Sequence, residues 1–199
     1  RMIRSVPNGF AIDSLELIDA SFVFMPKMKG ENPGNVKLAP INGYFTNITN
    51  IPKLLDVNPI AKLDVHSKIW DEGDVNITIE IVVPDINDPM IVEGEVRNLS
   101  MEKIENMIKN LFGIGVESGY IDYLKFEYEA NDVESVGNVI FDYHDLVLDL
   151  KKKESKNDDG KSYNSKSKKF VNFFAKSVVR INNEPGDSKY VATGHIFME

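Results

Sequence analysis

The chain has 199 residues, 42% of them hydrophobic and 27% charged, with a formal net charge of −8 and no cysteine. A chain of this size buries about 70% of the surface its unfolded form exposes, which is enough for a real core. The missing cysteines remove disulfides, thiolate metal sites and thiol nucleophiles, no run approaches the roughly 18 apolar residues of a membrane-spanning helix, and the acidic body argues against nucleic acid as the main partner.

The chain opens at Arg1 with no initiator methionine or signal pattern. It stops at Glu199, directly after the alternation Tyr190, Ala192, Gly194, Ile196, Met198. Both ends read as cut from something longer. The first strand is predicted over 14–25, where the apolar parity changes from Leu15 and Leu17 to Phe22 and Phe24. One extra residue near Asp19 and Ala20, a bulge, explains that change. Residues 36–48 form a second strand, interrupted by Pro40, which suits an edge or a bulge.

The clearest alternation is 61–83. Ala61, Leu63, Val65 and Ile69 share odd parity, and beyond Asp71, Glu72 and Gly73 the odd positions Val75, Ile77, Ile79, Ile81 and Val83 continue it. This pattern predicts a hairpin with one apolar and one polar face. A three-residue loop of Asp71, Glu72 and Gly73 pairs Ile69 with Val75, Val65 with Ile79 and Leu63 with Ile81. A four-residue loop would set odd against even positions and is rejected, because a slip of one residue turns every apolar side chain to the wrong face. Gly73 is expected at positive φ, and Asp64 is expected to face Glu80.

A short strand over 90–97 leads to a helix over 100–112, with Ser100 as N-cap, Met101, Ile104, Met107, Ile108 and Leu111 as its apolar stripe, and Gly113 as its stop. The glycines at 113, 115 and 119 end this helix and start the strand that begins near Tyr120. Residues 134–150 alternate again, with a parity change near Tyr143. Residues 151–169, from Lys151 to Lys169, hold eight lysines against Glu154, Asp158 and Asp159, a local charge of +5 that leaves −13 on the rest. They read first as a flexible solvated loop and second as a contact for anionic lipid headgroups. A second helix follows over about 167–179, with Phe170, Phe173, Phe174 and Val178 on one face, and then the final strand.

The search for chemistry returns no site. His66, His144 and His195 lie on different strands without a neighbouring ligand at metal spacing, and His66 and His144 are expected to face solvent or lie at a strand edge. No Gly-rich phosphate loop and no G-x-S-x-G elbow is present. Asp142, Asp145 and Asp149 leave a carboxylate hydrolase as the one enzymatic alternative, although acidic residues on a strand face are ordinarily solvated. No catalytic residue, metal or cofactor is predicted.

With these elements placed, residues 41–150 resemble the AsmA-like and TamB-related proteins of Gram-negative envelopes. The resemblance is carried by a G-x-x-x-N-I strand (Gly43 to Ile48), the 61–83 hairpin, the 100–112 helix, the run GIGVESGYIDYLKFEY and the closing Tyr143-His144-Asp145-Leu146. It implies a periplasmic β-groove, in a parent protein anchored to the inner membrane, that moves phospholipid; it supplies no catalytic residues. The expected fold is α+β and mostly β, a strongly twisted antiparallel sheet of about eight strands, groove-like or open-barrel-like, with two short helices. Residues 1–150 make the sheet and first helix, 151–169 the loop, and 170–199 a helix and final strand on the same sheet. Two helices of about twelve residues shade only part of such a sheet, leaving roughly 300 Å² of apolar surface. Val65, Ile69, Val75, Ile77, Ile79 and Ile81 are the expected lipid-facing residues. The expected partners are phospholipid or another acyl lipid and the rest of the parent protein; the alternative is a structural or protein-interaction module without a ligand.

Overall fold

The computed structural model describes residues 3, 6–25, 35–84, 89–106, 109, 115–131, 133–149, 182, 183, 185, 186 and 191–197. Within them, eight strands form one sheet whose spatial order is the chain order: β1 (Ala11–Phe24), β2 (Val36–Thr49), β3 (Ile60–Ile69), β4 (Gly73–Val82), β5 (Met90–Ser100), β6 (Gly115–Ala130), β7 (Glu134–Asp149) and β8 (Val191–Phe197). Every neighbouring pair is antiparallel, and the sheet is open, with β1 and β8 as its two edges. The mostly β antiparallel architecture read from the alternation is therefore present.

The helical part differs from expectation. A single α-turn, α1 (Pro52–Leu55), was not foreseen, and the start of the 100–112 helix is a 3₁₀ turn, Met101–Ile104. Ser100 caps that turn as expected, its side chain accepting from the Glu102 N–H. The expected 151–169 loop and the second helix at about 167–179 lie outside the described residues. Strand β6 starts at Gly115 rather than near Tyr120, so Gly115 and Gly119 belong to the strand. Gly119 adopts φ +146°, and a Cβ there would stand 3.0 Å from Met101 Sδ and 3.2 Å from Leu146 Cδ1.

The 61–83 hairpin forms with the predicted parity but a register two residues away. Ile69 pairs with Gly73, Val65 with Ile77, Leu63 with Ile79 and Ala61 with Ile81. The loop is Trp70, Asp71 and Glu72. Trp70 and Asp71 take φ of 52° and 62°, and the Glu72 N–H donates to the Ile69 carbonyl at 3.1 Å. These are the two positive φ values of a primed hairpin turn, which suits the twist of paired strands. Gly73 has no positive φ; its missing side chain makes room instead, since a Cβ would meet Ile69 Cγ2 at 2.9 Å and Leu99 Cβ at 3.0 Å.

The charges explain why this register is the better one. Asp64 does not face Glu80: it faces Thr78, whose hydroxyl donates to it at 2.7 Å, while Glu80 faces Lys62 at 3.6 Å. Lys68 likewise faces Asp74, at 2.9 Å. The shift replaces a like-charge cross-strand pair by two opposite-charge pairs.

Four strands share one device. Leu17-Ile18-Asp19-Ala20, Phe45-Thr46-Asn47-Ile48, Val96-Arg97-Asn98-Leu99 and Tyr143-His144-Asp145-Leu146 each place Asp or Asn between apolar residues three apart. Asp19, Asn47, Asn98 and Asp145 all have φ between 51° and 58°. Short polar side chains tolerate this left-handed conformation better than others, and one such residue lets the strand return its next apolar side chain to the face it would otherwise leave. The expected parity changes at Asp19 and near Tyr143 are two of these four irregularities. Pro40 also sits at one, between Leu38 and Asn42 in the β2–β3 pairing.

The main core lies toward one end of the sheet. Val75, Val96, Leu99, Met101, Val116, Ile121, Tyr143 and Leu146 form one buried cluster, with Ile69, Trp70, Ile77, Leu124 and Phe141 packed against it. Tyr143, only 1% exposed, is also fixed through its backbone by the bridge to Asn183.

Candidate functional site

The registers assemble the apolar residues into rows that cross the sheet. One row runs Leu15, Phe45, Leu63, Ile79, Val92, Tyr128, Gly137; the next runs Leu17, Gly43, Val65, Ile77, Gly94, Phe126, Val139. Residues directly opposite in antiparallel strands share a face, so both rows lie on the same side of the sheet as the core cluster. Burial along the first row falls toward the β1 edge: Val92 is buried, Phe45, Leu63 and Ile79 are half-buried, and Leu15 is 45% exposed.

Glycines in these rows stand where a neighbouring side chain or backbone comes too close for a Cβ. The Phe126 ring occupies the place a Gly94 side chain would take, and at Gly137 a Cβ would run into the Glu127 backbone carbonyl and the Cβ of Tyr128. At Gly43 a Cβ would run into the backbone carbonyl of Asp64 and the side chain of Val65. Phe126 and Tyr128 stack with centroids 6.2 Å apart, and burial raises the Tyr128 phenol pKa above its usual value.

All six expected lipid-facing residues fall on this face. Val75 is a member of the buried cluster, and Ile69 and Ile77 pack against it, so these three stabilise the core. Val65, Ile79 and Ile81 are half-buried and stand outside the cluster. Leu15, Leu17, Phe45, Leu63, Phe126 and Tyr128 belong to the same surface and were missed. The signal was present in their own alternation, but placing them beside Val65 and Ile79 requires the cross-strand register.

The opposite face carries most of the charges, together with exposed Ile91 and Val136. Beyond the Lys62, Asp64, Lys68 and Asp74 pairs, Arg97 lies 4.1 Å from the Tyr123 ring centroid and 3.4 Å from Glu95, and the Tyr123 hydroxyl donates to Glu95 at 2.8 Å. Asp74 titrates below its usual range because Lys68 and Asn98 hydrogen-bond its carboxylate. His144 is where expectation and structure part. It does lie on the partly exposed polar side, but its Nδ1 is 2.6 Å from Asp122 Oδ2 on β6, and Asp145 is 3.9 Å from Nε2. Asp122 raises the His144 pKa, with Asp145 and Asp142 adding to it. The sequence hid this pair because the residues are 22 apart in the chain and meet only across the β6–β7 ladder.

Among the described residues, no group of three or more His, Asp or Glu is placed to hold a metal ion, and no helix is long and apolar enough to cross a membrane. Of the three carboxylates considered for hydrolysis, Asp142 and Asp145 are partners of the His144 charge, and the side chain of Asp149 lies outside the described residues. No protein-family model, curated protein or solved structure matches the chain.

Proposed function

We propose that this chain is a non-enzymatic lipid-binding module, with the outer part of its apolar face holding the acyl chains of a phospholipid or related lipid. The observation that carries the reading is the pair of apolar rows crossing seven strands, the first of which grows more exposed from Val92 on β5 to Leu15 on β1, while the opposite face carries the Lys62, Asp64, Lys68 and Asp74 pairs. A row of half-exposed Leu, Ile, Val and Phe side chains several strands wide suits extended hydrocarbon, and the scarcity of polar groups in it leaves no basis for selecting a polar ligand. On this reading the sheet is a strongly twisted groove of the AsmA-like type, within a periplasmic envelope protein whose parent is anchored in the inner membrane.

The competing reading is a structural module whose face is closed by another protein. It draws on the same exposed Leu15, together with Phe22 and Phe24 on β1. Extraction and mass spectrometry of the purified chain separates the two. The lipid reading expects co-purified phospholipid that is lost in a Val65→Asp/Ile79→Asp variant still giving the parent circular-dichroism spectrum. A folded, monomeric parent chain that carries no lipid overturns it.

A further inference from the structure

Both edges of the sheet present backbone hydrogen-bonding groups that pair with no further strand among the described residues. An unpaired edge is a template for strand addition, and proteins ordinarily blunt it with lysine, proline or a short strand. Strand β1 is 14 residues long and has none of Lys, Arg or Pro; its sequence AIDSLELIDASFVF instead carries large apolar residues facing both ways. Ile18 is 69% exposed and Val23 is 50% exposed on the side away from the apolar rows.

Three observations select the occupant. The first is direction: with eight strands, each antiparallel to its neighbour, β1 and β8 run oppositely, so β8 of one copy set beside β1 of the next continues the alternation with the same face up. The second is position. β8 pairs with the Glu134–Ile140 part of β7, next to the β6–β7 turn, which is the end of the sheet where β1 begins. Its seven residues are enough to cover most of the stretch of β1 that precedes the Asp19 irregularity, with Ala192, Gly194 and Ile196 on the side of Leu15 and Leu17.

The third is charge. Two copies of β1 paired antiparallel in the register centred on Glu16 would bring Asp13 against Asp19 and Glu16 against Glu16, and like charges across an antiparallel pair are destabilising. The β8 sequence VATGHIF has no acidic residue and only His195 as a titratable group, so it meets β1 without that repulsion. We propose that this chain associates head to tail with copies of itself, the outer edge of β8 pairing with the outer edge of β1 of the next copy. Such a contact is heterologous and extends the apolar rows from copy to copy rather than closing a dimer. It does not depend on what those rows hold.

The test uses the whole chain, whose lack of cysteine makes introduced thiols unambiguous. Ser14 pairs with Thr46 and Thr193 with Asn138, both in polar rows of the sheet. Sedimentation velocity over a concentration series is expected to show mass growing beyond a dimer. A mixture of the Ser14→Cys and Thr193→Cys variants is expected to cross-link with a short bismaleimide, whereas Ser14→Cys alone does not. A single monomeric species at every concentration, or oligomers in which Ser14→Cys links to itself and not to Thr193→Cys, overturns the inference.

Discussion

The inner strands β5–β7 and the edge strand β1 are built from similar residues and end in different states. At β5–β7, Val96, Leu99, Ile121 and Tyr143 are buried by one another and by Met101 from the 3₁₀ turn. At β1, Leu15, Phe22 and Phe24 have the same alternation and the same face, and remain about half exposed. The difference is the number of neighbours: a central strand is flanked on both sides and capped by Met101, whereas β1 has β2 on one side only. Apolar patterning decides which face a residue takes, and position in the sheet decides whether that face is covered.

The largest expected contrast is between Tyr143→Ala and Leu15→Ala. Emptying a site that is 1% exposed, beside Phe141 at 4.9 Å, is expected to cost about 3–5 kcal/mol. The Leu15 truncation at the open edge is expected to cost about 0.5 kcal/mol or less, as for other exposed positions. Denaturant midpoints of the two variants check this, and similar losses at both sites would show that β1 is covered after all.

Next is Gly43→Ala, at a buried tight point on β2, one strand in from the open edge. A Cβ there meets backbone rather than a flexible side-chain end, so strand β2 must shift, at an expected cost of about 1–3 kcal/mol. Gly73→Val should also destabilise, by roughly 1 kcal/mol or more, through collision with Ile69 and Leu99 rather than through backbone strain. Gly73→Ala distinguishes the causes: a substantial loss of thermal stability for this φ-compatible substitution identifies crowding.

The smallest effect concerns His144. Its folded pKa is raised by Asp122, so the stabilisation is fully present below the unfolded histidine value near 6.5 and is lost as pH rises through the higher folded value. Because both side chains are partly exposed, the effect is modest and screened by salt. Thermal melts of the parent chain are expected to fall slightly across that window, and Asp122→Asn is expected to flatten the fall. Asp74 acts in the opposite sense at acid pH: its lowered pKa adds stability that is present above about 3.8 and disappears as pH falls through the folded value.

Much of this architecture was legible in the residues themselves, because a period of two is a local property of the chain. The odd-parity run from Ala61 to Val83 announced a hairpin and its apolar face, and the changes at Asp19 and near Tyr143 announced irregular strands. Asn47 and Asn98 have the same apolar-x-Asx-apolar spacing, but no change of apolar parity is read at either of them. The G-x-x-x-N-I and Tyr-x-Asp-Leu patterns that suggested a family thus include two of the four left-handed positions, at Asn47 and Asp145.

Sequence alone determined the strand periodicity, the polar and apolar faces, and the Ser100 cap, since each depends on residues within a few positions of one another. The tertiary structure decided the hairpin register, the Asp122–His144 pair and the division of the six candidate residues into three at the core and three outside it. These depend on charges, close approaches at glycines and neighbours brought together across strands. Parity fixes a side of the sheet, but only contact between distant segments fixes which side chains share it and how deeply each is buried.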